Sequence, residues 1–92
     1  MTAIRVKDKE WGDYIIPVDN IAFVTSQRPD PNTGKQGTVI KLRRVAQTTY
    51  AALDAIRTVE TIELVERLLQ FAYSMPGIWH LDENGKPTLD QA

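Results

Sequence analysis

The chain has no cysteine and a single histidine in its 92 residues. Without thiols there is no disulfide, no cysteine-ligated zinc and no thiol nucleophile, and this usage agrees with a cytoplasmic home. One histidine rules out any site that needs two. No run of 18 apolar residues occurs, so no membrane-spanning helix is expected. The opening stretch MTAIRVKDKEWGD turns charged within five positions, which argues against a signal peptide. Repeats and low-complexity segments are also missing.

What is present is ordinary globular material, 42% hydrophobic and 25% charged. A chain of this size hides roughly 60–65% of its unfolded surface, enough for one modest core. The net charge of −1 conceals a split. Residues 1–45 hold eight Lys or Arg against five Asp or Glu, and residues 46–92 hold three against seven. Such a split either solvates neighbouring elements or marks a basic face for an acidic partner.

Period-two alternation marks four strands. In Ala3 to Lys7, Ile4 and Val6 alternate with Arg5 and Lys7. Tyr14 to Val18 is the second strand, with Pro17 ending it or placing it on an edge. Ile21 to Gln27 is the third, with Ile21, Phe23 and Thr25 on one side and Ala22, Val24 and Ser26 on the other. After a ten-residue connection, Thr38 to Val45 is the fourth, with Ile40 and Leu42 opposite Lys41 and Arg43. Short links from Tyr14 onward favour an antiparallel meander.

Residues 46–60 read either way. Tyr50, Leu53 and Ile56 fit a helical face, but apolar positions recur every three residues as far as 68, which one straight helix cannot keep on one side. The β-branched group Thr58, Val59, Thr61 and Ile62 is the natural break. From Thr61 a helix is expected to Ser74, with Thr61 as cap, Glu63 at its positive end, a Glu63–Arg67 pair, and a stripe of Ile62, Val65, Leu68, Leu69, Ala72 and Tyr73. Pro76 and Gly77 stop it. Beyond lies Ile78, Trp79 and Leu81, then Asn84-Gly85, a hairpin signal. Either Ile78 to Leu81 folds back as a strand, or a loose tail grips a partner through Trp79. Docking of the Trp79 region, with about the last six residues mobile, is favoured.

The stretch NTGKQGTV, Asn32 to Val39, has the look of a phosphate-cradling loop. A Walker A loop needs a glycine five positions before Gly34, where Pro29 stands, and Ser or Thr after Lys35, where Gln36 stands. It also needs a helix to follow, whereas Thr38 onward is a strand. The stretch reads as a hairpin loop, with Gly34 and Gly37 supplying positive φ. His80, Asp82 and Glu83 are a conceivable metal trio, but all three sit on one short segment, and a packed or solvated histidine beside Trp79 is favoured. Ser26 and Ser74 have no base beside them. No catalytic, cofactor or metal residues are assigned, and no enzyme activity is expected.

Arg5, Lys7, Lys41 and Arg43 occupy outward strand positions. If the first and fourth strands are neighbours, they form one basic face, which Arg44, Arg28 and Lys35 extend toward the loop. No aromatic interleaves with it, so it does not resemble a single-strand stacking platform.

YIIPVDNIAFV, Tyr14 to Val24, resembles the strand–turn–strand opening of small bacterial FlbD-type flagellar regulators, and is similar to the openings of LytTR DNA-binding domains and bacterial pleckstrin-like domains. VETIELVERLL, Val59 to Leu69, resembles the FlbD-type ending, in which a strand runs into a short helix. The ten-residue loop, the segment Ala46 to Asp54 and the C-terminal tail depart from that pattern. The resemblance implies a β-rich regulatory module and supplies no binding residues.

The expected fold is therefore α+β: an antiparallel sheet of four or five strands with a C-terminal amphipathic helix on one face, residues 1–77 forming one domain and 78–92 an extension, docked hairpin or partly mobile. The expected core is Ile4, Val6, Ile16, Phe23, Ile40, Leu42, Ile62, Val65, Leu68 and Leu69. The expected function is a small interaction or regulatory module of a bacterium or phage that binds a protein, or alternatively nucleic acid. The contact residues would be Arg5, Lys7, Arg28, Lys35, Lys41, Arg43, Arg44 and Trp79. A second copy could cover an open sheet edge.

Overall fold

The computed structural model describes residues 2–9, 12–47 and 52–90. Its elements are β1 (Thr2–Asp8), β2 (Gly12–Pro17), β3 (Ile21–Ser26), β4 (Thr38–Gln47), β5 (Ala52–Thr58), α1 (Ile62–Ser74), β6 (Gly77–Leu81) and β7 (Pro87–Leu89). A 3-10 turn, Val18–Asn20, joins β2 to β3. The expected α+β arrangement with a C-terminal helix is corrected on three points. Among the described residues the protein is mostly β, at 53% strand. The sheet has seven strands among the described residues and is mixed and curled. The helix lies between β5 and β6.

The extra strands come from segments whose local pattern was short or ambiguous. On either side of residues 48–51, which include Tyr50 and lie outside the described residues, the ambiguous stretch is strand. β4 continues to Gln47 and β5 starts at Ala52, paired antiparallel. After the helix, Gly77–Leu81 aligns parallel with β1, placing Trp79 opposite Ile4. Asn84-Gly85 then turns the chain back into β7, so that Leu81 faces Pro87.

The sheet path runs β3-β4-β5-β1-β6-β7, and β2 pairs with β1. The expected meander from Tyr14 is therefore interrupted: β2 pairs with β1 along Ala3–Asp8, and β3 pairs with β4. Pro17 has no N–H to continue a ladder, and the 3-10 turn after it carries the chain away. On its other side β1 is shared. β6 occupies Thr2–Ile4 and β5 touches only at Asp8. Between them, the flank of β1 from Arg5 to Lys7 faces no strand.

The helix starts as the sequence indicated. Thr61 Oγ1 accepts the Leu64 amide at 3.4 Å, and Val65, Leu68 and Ala72 enter the core. Ile62 and Leu69 are half-buried and Tyr73 is exposed. No ion pair joins Glu63 to Arg67. The core gathers Ile4, Val6, Ile16, Ile40 and Leu42, as expected, with Ile21, Ile56 and Trp79 added. Phe23 is not in it.

Where β1, β4 and β5 meet, the interior is polar. Thr38 and Thr58 are both fully buried. Thr38 Oγ1 donates to the Glu60 carbonyl at 2.8 Å, Thr58 Oγ1 accepts from the Glu60 amide at 3.3 Å, and the buried Asp8 carboxylate accepts the Arg57 amide at 3.0 Å. These side chains replace ladder bonds that the narrow β1–β5 contact does not make.

Candidate partner-binding surface

The outward face of β3, β4 and β5 is set by register. Phe23 lies beside Lys41, which lies beside Ala55; in the next row Thr25 lies beside Val39, then Arg57. The Arg57 carbonyl accepts the Lys9 amide at 2.9 Å, so Lys9 follows Arg57 in that row. Directly opposed residues on paired strands share a face. One aromatic ring therefore stands beside Lys41, with Arg57 and Lys9 farther across the same face.

Phe23 reaches this face through a β-bulge. The pairing slips between Ile21, which faces Leu42, and Phe23, which faces Lys41. One extra residue reverses the side-chain phase. Ile21 is buried, Val24 packs against the core, and Phe23 is turned out, 57% exposed. The expectation of Phe23 as core, and of a basic face free of aromatics, is overturned by this slip.

β4 carries a second irregularity. Between the pairs Lys41–Ala55 and Ala46–Leu53, four residues of β4 stand opposite one of β5. Leu42 stays buried while Arg43, Arg44 and Val45 are exposed. Asn20 stitches the bulged strand to the 3-10 turn: its Oδ1 accepts the Arg44 amide at 2.8 Å and its Nδ2 donates to the Arg44 carbonyl at 3.2 Å. Arg43 Nε donates to the Ile21 carbonyl at 3.3 Å, and the Arg44 guanidinium lies 4.0 Å from Asp19.

Lys41 Nζ donates to Asp54 at 2.9 Å. That hydrogen bond, and then the charge of Lys41, hold the exposed Asp54 carboxyl below its ordinary pKa.

The remaining expected contacts are scattered. β5 lies between β4 and β1, so Arg5 and Lys7 do not adjoin Lys41 and Arg43. They rim the gap on the flank of β1 instead, an open cleft of about 380 Å³ lined also by His80, Leu81 and Glu60. There Arg5 Nη2 donates to Asp90 at 3.1 Å, and the same carboxylate oxygen is bonded by His80 Nδ1. Arg28 and Lys35 are exposed in the loop between β3 and β4. Trp79 is only 5% exposed, donates Nε1–H to the Met75 carbonyl at 3.0 Å and packs against Phe71 with ring centroids 5.4 Å apart. It has no face to offer a partner, because β6 adds to the sheet and turns the ring onto the helix.

The loop amides that a phosphate would need are already engaged. Asp30 Oδ1 accepts from the amides of Asn32 at 2.7 Å and Thr33 at 3.3 Å, and the Asp30 carbonyl accepts from Gly34 at 2.8 Å. Gly34 has φ +71°, as a turn there requires. Gly37 does not have positive φ. It is glycine because a Cβ would lie 2.3 Å from the Thr58 carbonyl oxygen. Of the metal trio, His80 is bonded to Asp90, and the Asp82 carboxylate accepts the amides of Asn84 and Lys86, each at 2.9 Å. No cluster of three or more metal-ligating side chains occurs among the described residues, and no described helix is long and apolar enough to cross a membrane.

No family model, curated protein or solved structure matches the chain.

Proposed function

We propose that the protein is a small non-enzymatic interaction module, binding the acidic surface of a protein partner through the outward face of β3, β4 and β5. The observation that carries this reading is Phe23: a ring turned out of the core by a bulge, in register with Lys41, on the face that also carries Arg57 in the next row. An exposed aromatic anchor beside a lysine, on a face that also carries cations, has the composition of a binding hot spot, and the cations would steer an acidic partner. The resemblance of Tyr14–Val24 and Val59–Leu69 to FlbD-type modules supports a regulatory role for such contact.

The same face favours nucleic acid as a second reading, since its cations Lys41, Arg57 and Lys9 suit phosphates. A single ring is not the succession of rings on which bases stack, which places the protein partner first.

The test is affinity capture from lysate of the source organism, with Lys41→Ala plus Arg43→Ala as control, alongside gel retardation of DNA and RNA at low salt. A protein retained by the wild type, lost with the double variant and released by salt is the expected result. Retardation that the double variant weakens would move the assignment to nucleic acid. Neither capture nor retardation would overturn both readings.

A further inference from the structure

Among the described residues, three strands leave one edge unpaired along its whole length: β3 and β7 at the two ends of the path, and β2 beyond β1. Open edges invite pairing with other chains, and folded proteins blunt them with brevity, proline or charge. β7 is three residues long and begins with Pro87. β2 carries Asp13 and ends at Pro17. β3 has no such protection. Its six residues, IAFVTS, include no charge and no proline, and Ala22, Phe23, Thr25 and Ser26 are exposed.

The direction of its free groups follows from one bond. The Gln27 amide donates to the Gly37 carbonyl at 2.9 Å, so alternation directs Thr25 and Phe23 toward β4. The amides and carbonyls of Val24 and Ser26 then point away from the sheet.

We infer that β3 pairs antiparallel with β3 of a second copy, joining two sheets about a two-fold axis at Val24. The flanking charges select this occupant. Asp19 precedes the uncharged stretch and Arg28 follows it. Antiparallel pairing of two copies puts each Asp19, in the 3-10 turn and 4.0 Å from Arg44, at the same end as the other copy's Arg28, whereas parallel pairing would set like charges together. The two-fold axis also keeps inner faces with inner faces. Val24 meets Val24, Ala22 meets Ser26, and on the outer side Phe23 meets Thr25, a favourable aromatic–β-branched pair. The outward cationic faces of the two copies then become one continuous surface, although the pairing itself does not depend on what that surface binds.

A single strand edge buries less than the roughly 1,200–2,000 Å² of a standard interface, so the dimer is weak and is read at high protein concentration. In sedimentation equilibrium up to about 1 mM, the mass rises from the 10.4 kDa monomer toward twice that value. Ala22→Lys plus Ser26→Lys opposes like charges at both ends and weakens association at least tenfold. Ala22→Glu plus Ser26→Lys opposes unlike charges at the same positions and restores it. Without any variant, amide exchange at Val24 and Ser26 slows with rising concentration while that at Thr25 does not change. A wild type that stays monomeric, two double variants that behave alike, or exchange at Val24 and Ser26 that ignores concentration would each overturn the pairing.

Discussion

Around β1, β6 and the helix, side chains turn inward: Ile4 lies beside Trp79, and Val65, Leu68 and Ala72 close over them. Across β3, β4 and β5 the outward chains are as informative as the inward ones. Two register slips there, at Ile21/Phe23 and between Lys41 and Ala46, send Phe23, Arg43, Arg44 and Val45 into solvent. Ideal alternation would have hidden Phe23 and made an ordinary sheet face. The difference teaches where each region's sequence is spent. The first is occupied with holding the fold, although its helix also exposes Tyr73 and Phe71; the second sets an exposed ring in register with a lysine on a sheet face.

The largest expected effect lies in the first region. Trp79→Ala removes the ring that joins β6 to the helix and should cost about 3–5 kcal/mol, lowering Tm by at least about 10 °C in a thermal melt. A melt within a few degrees of wild type would mean that the tail is not integral to the core.

Gly37→Ala acts on the seam between the regions. Its Cβ would meet backbone, the Thr58 carbonyl, at 2.3 Å, so β4 and β5 must separate, at about 1–3 kcal/mol. Chemical denaturation checks this, and an unchanged midpoint would show that the close approach is dispensable.

Asp54→Asn is a small change confined to the second region. It should lower the melt only slightly at neutral pH, the pair being exposed, and raise affinity for an acidic partner about twofold to fivefold by freeing Lys41. The pH dependence has a definite sign. Lys41 depresses the Asp54 pKa in the folded protein, so the pair's contribution is complete above the ordinary carboxylate range and is lost as pH falls through the depressed value. Wild type and Asp54→Asn should therefore converge in acid and differ above it. Titration of binding by fluorescence anisotropy reads both arms.

Local signals were legible in the sequence. Alternation located β1 to β4 closely, because each strand has one face on the core, and Thr61 with Val65, Leu68 and Ala72 announced the helix through its cap and spacing. Lys41 and Arg43 were correctly placed outward. Features that depend on distant partners were not legible. The bulge that frees Phe23 exists only in its pairing with β4. The stripe of apolar residues three apart hid β5, since Ile56 is a strand's inward position and Leu53 lies past the shift at Asp54. Arg57 and Lys9 join the outer face only because β5 meets β1 at one point. Trp79 looked like a tail residue until β6 found β1, and nothing local marks a parallel pairing.

The division between the two regions is tested most directly by Phe23→Ala, measured for thermal stability and for partner capture in the same preparation. A melt unchanged within about 0.5 kcal/mol, together with loss of the captured partner, is the predicted result. Retention of the partner at wild-type level, or a destabilisation like that of a buried ring, would contradict it.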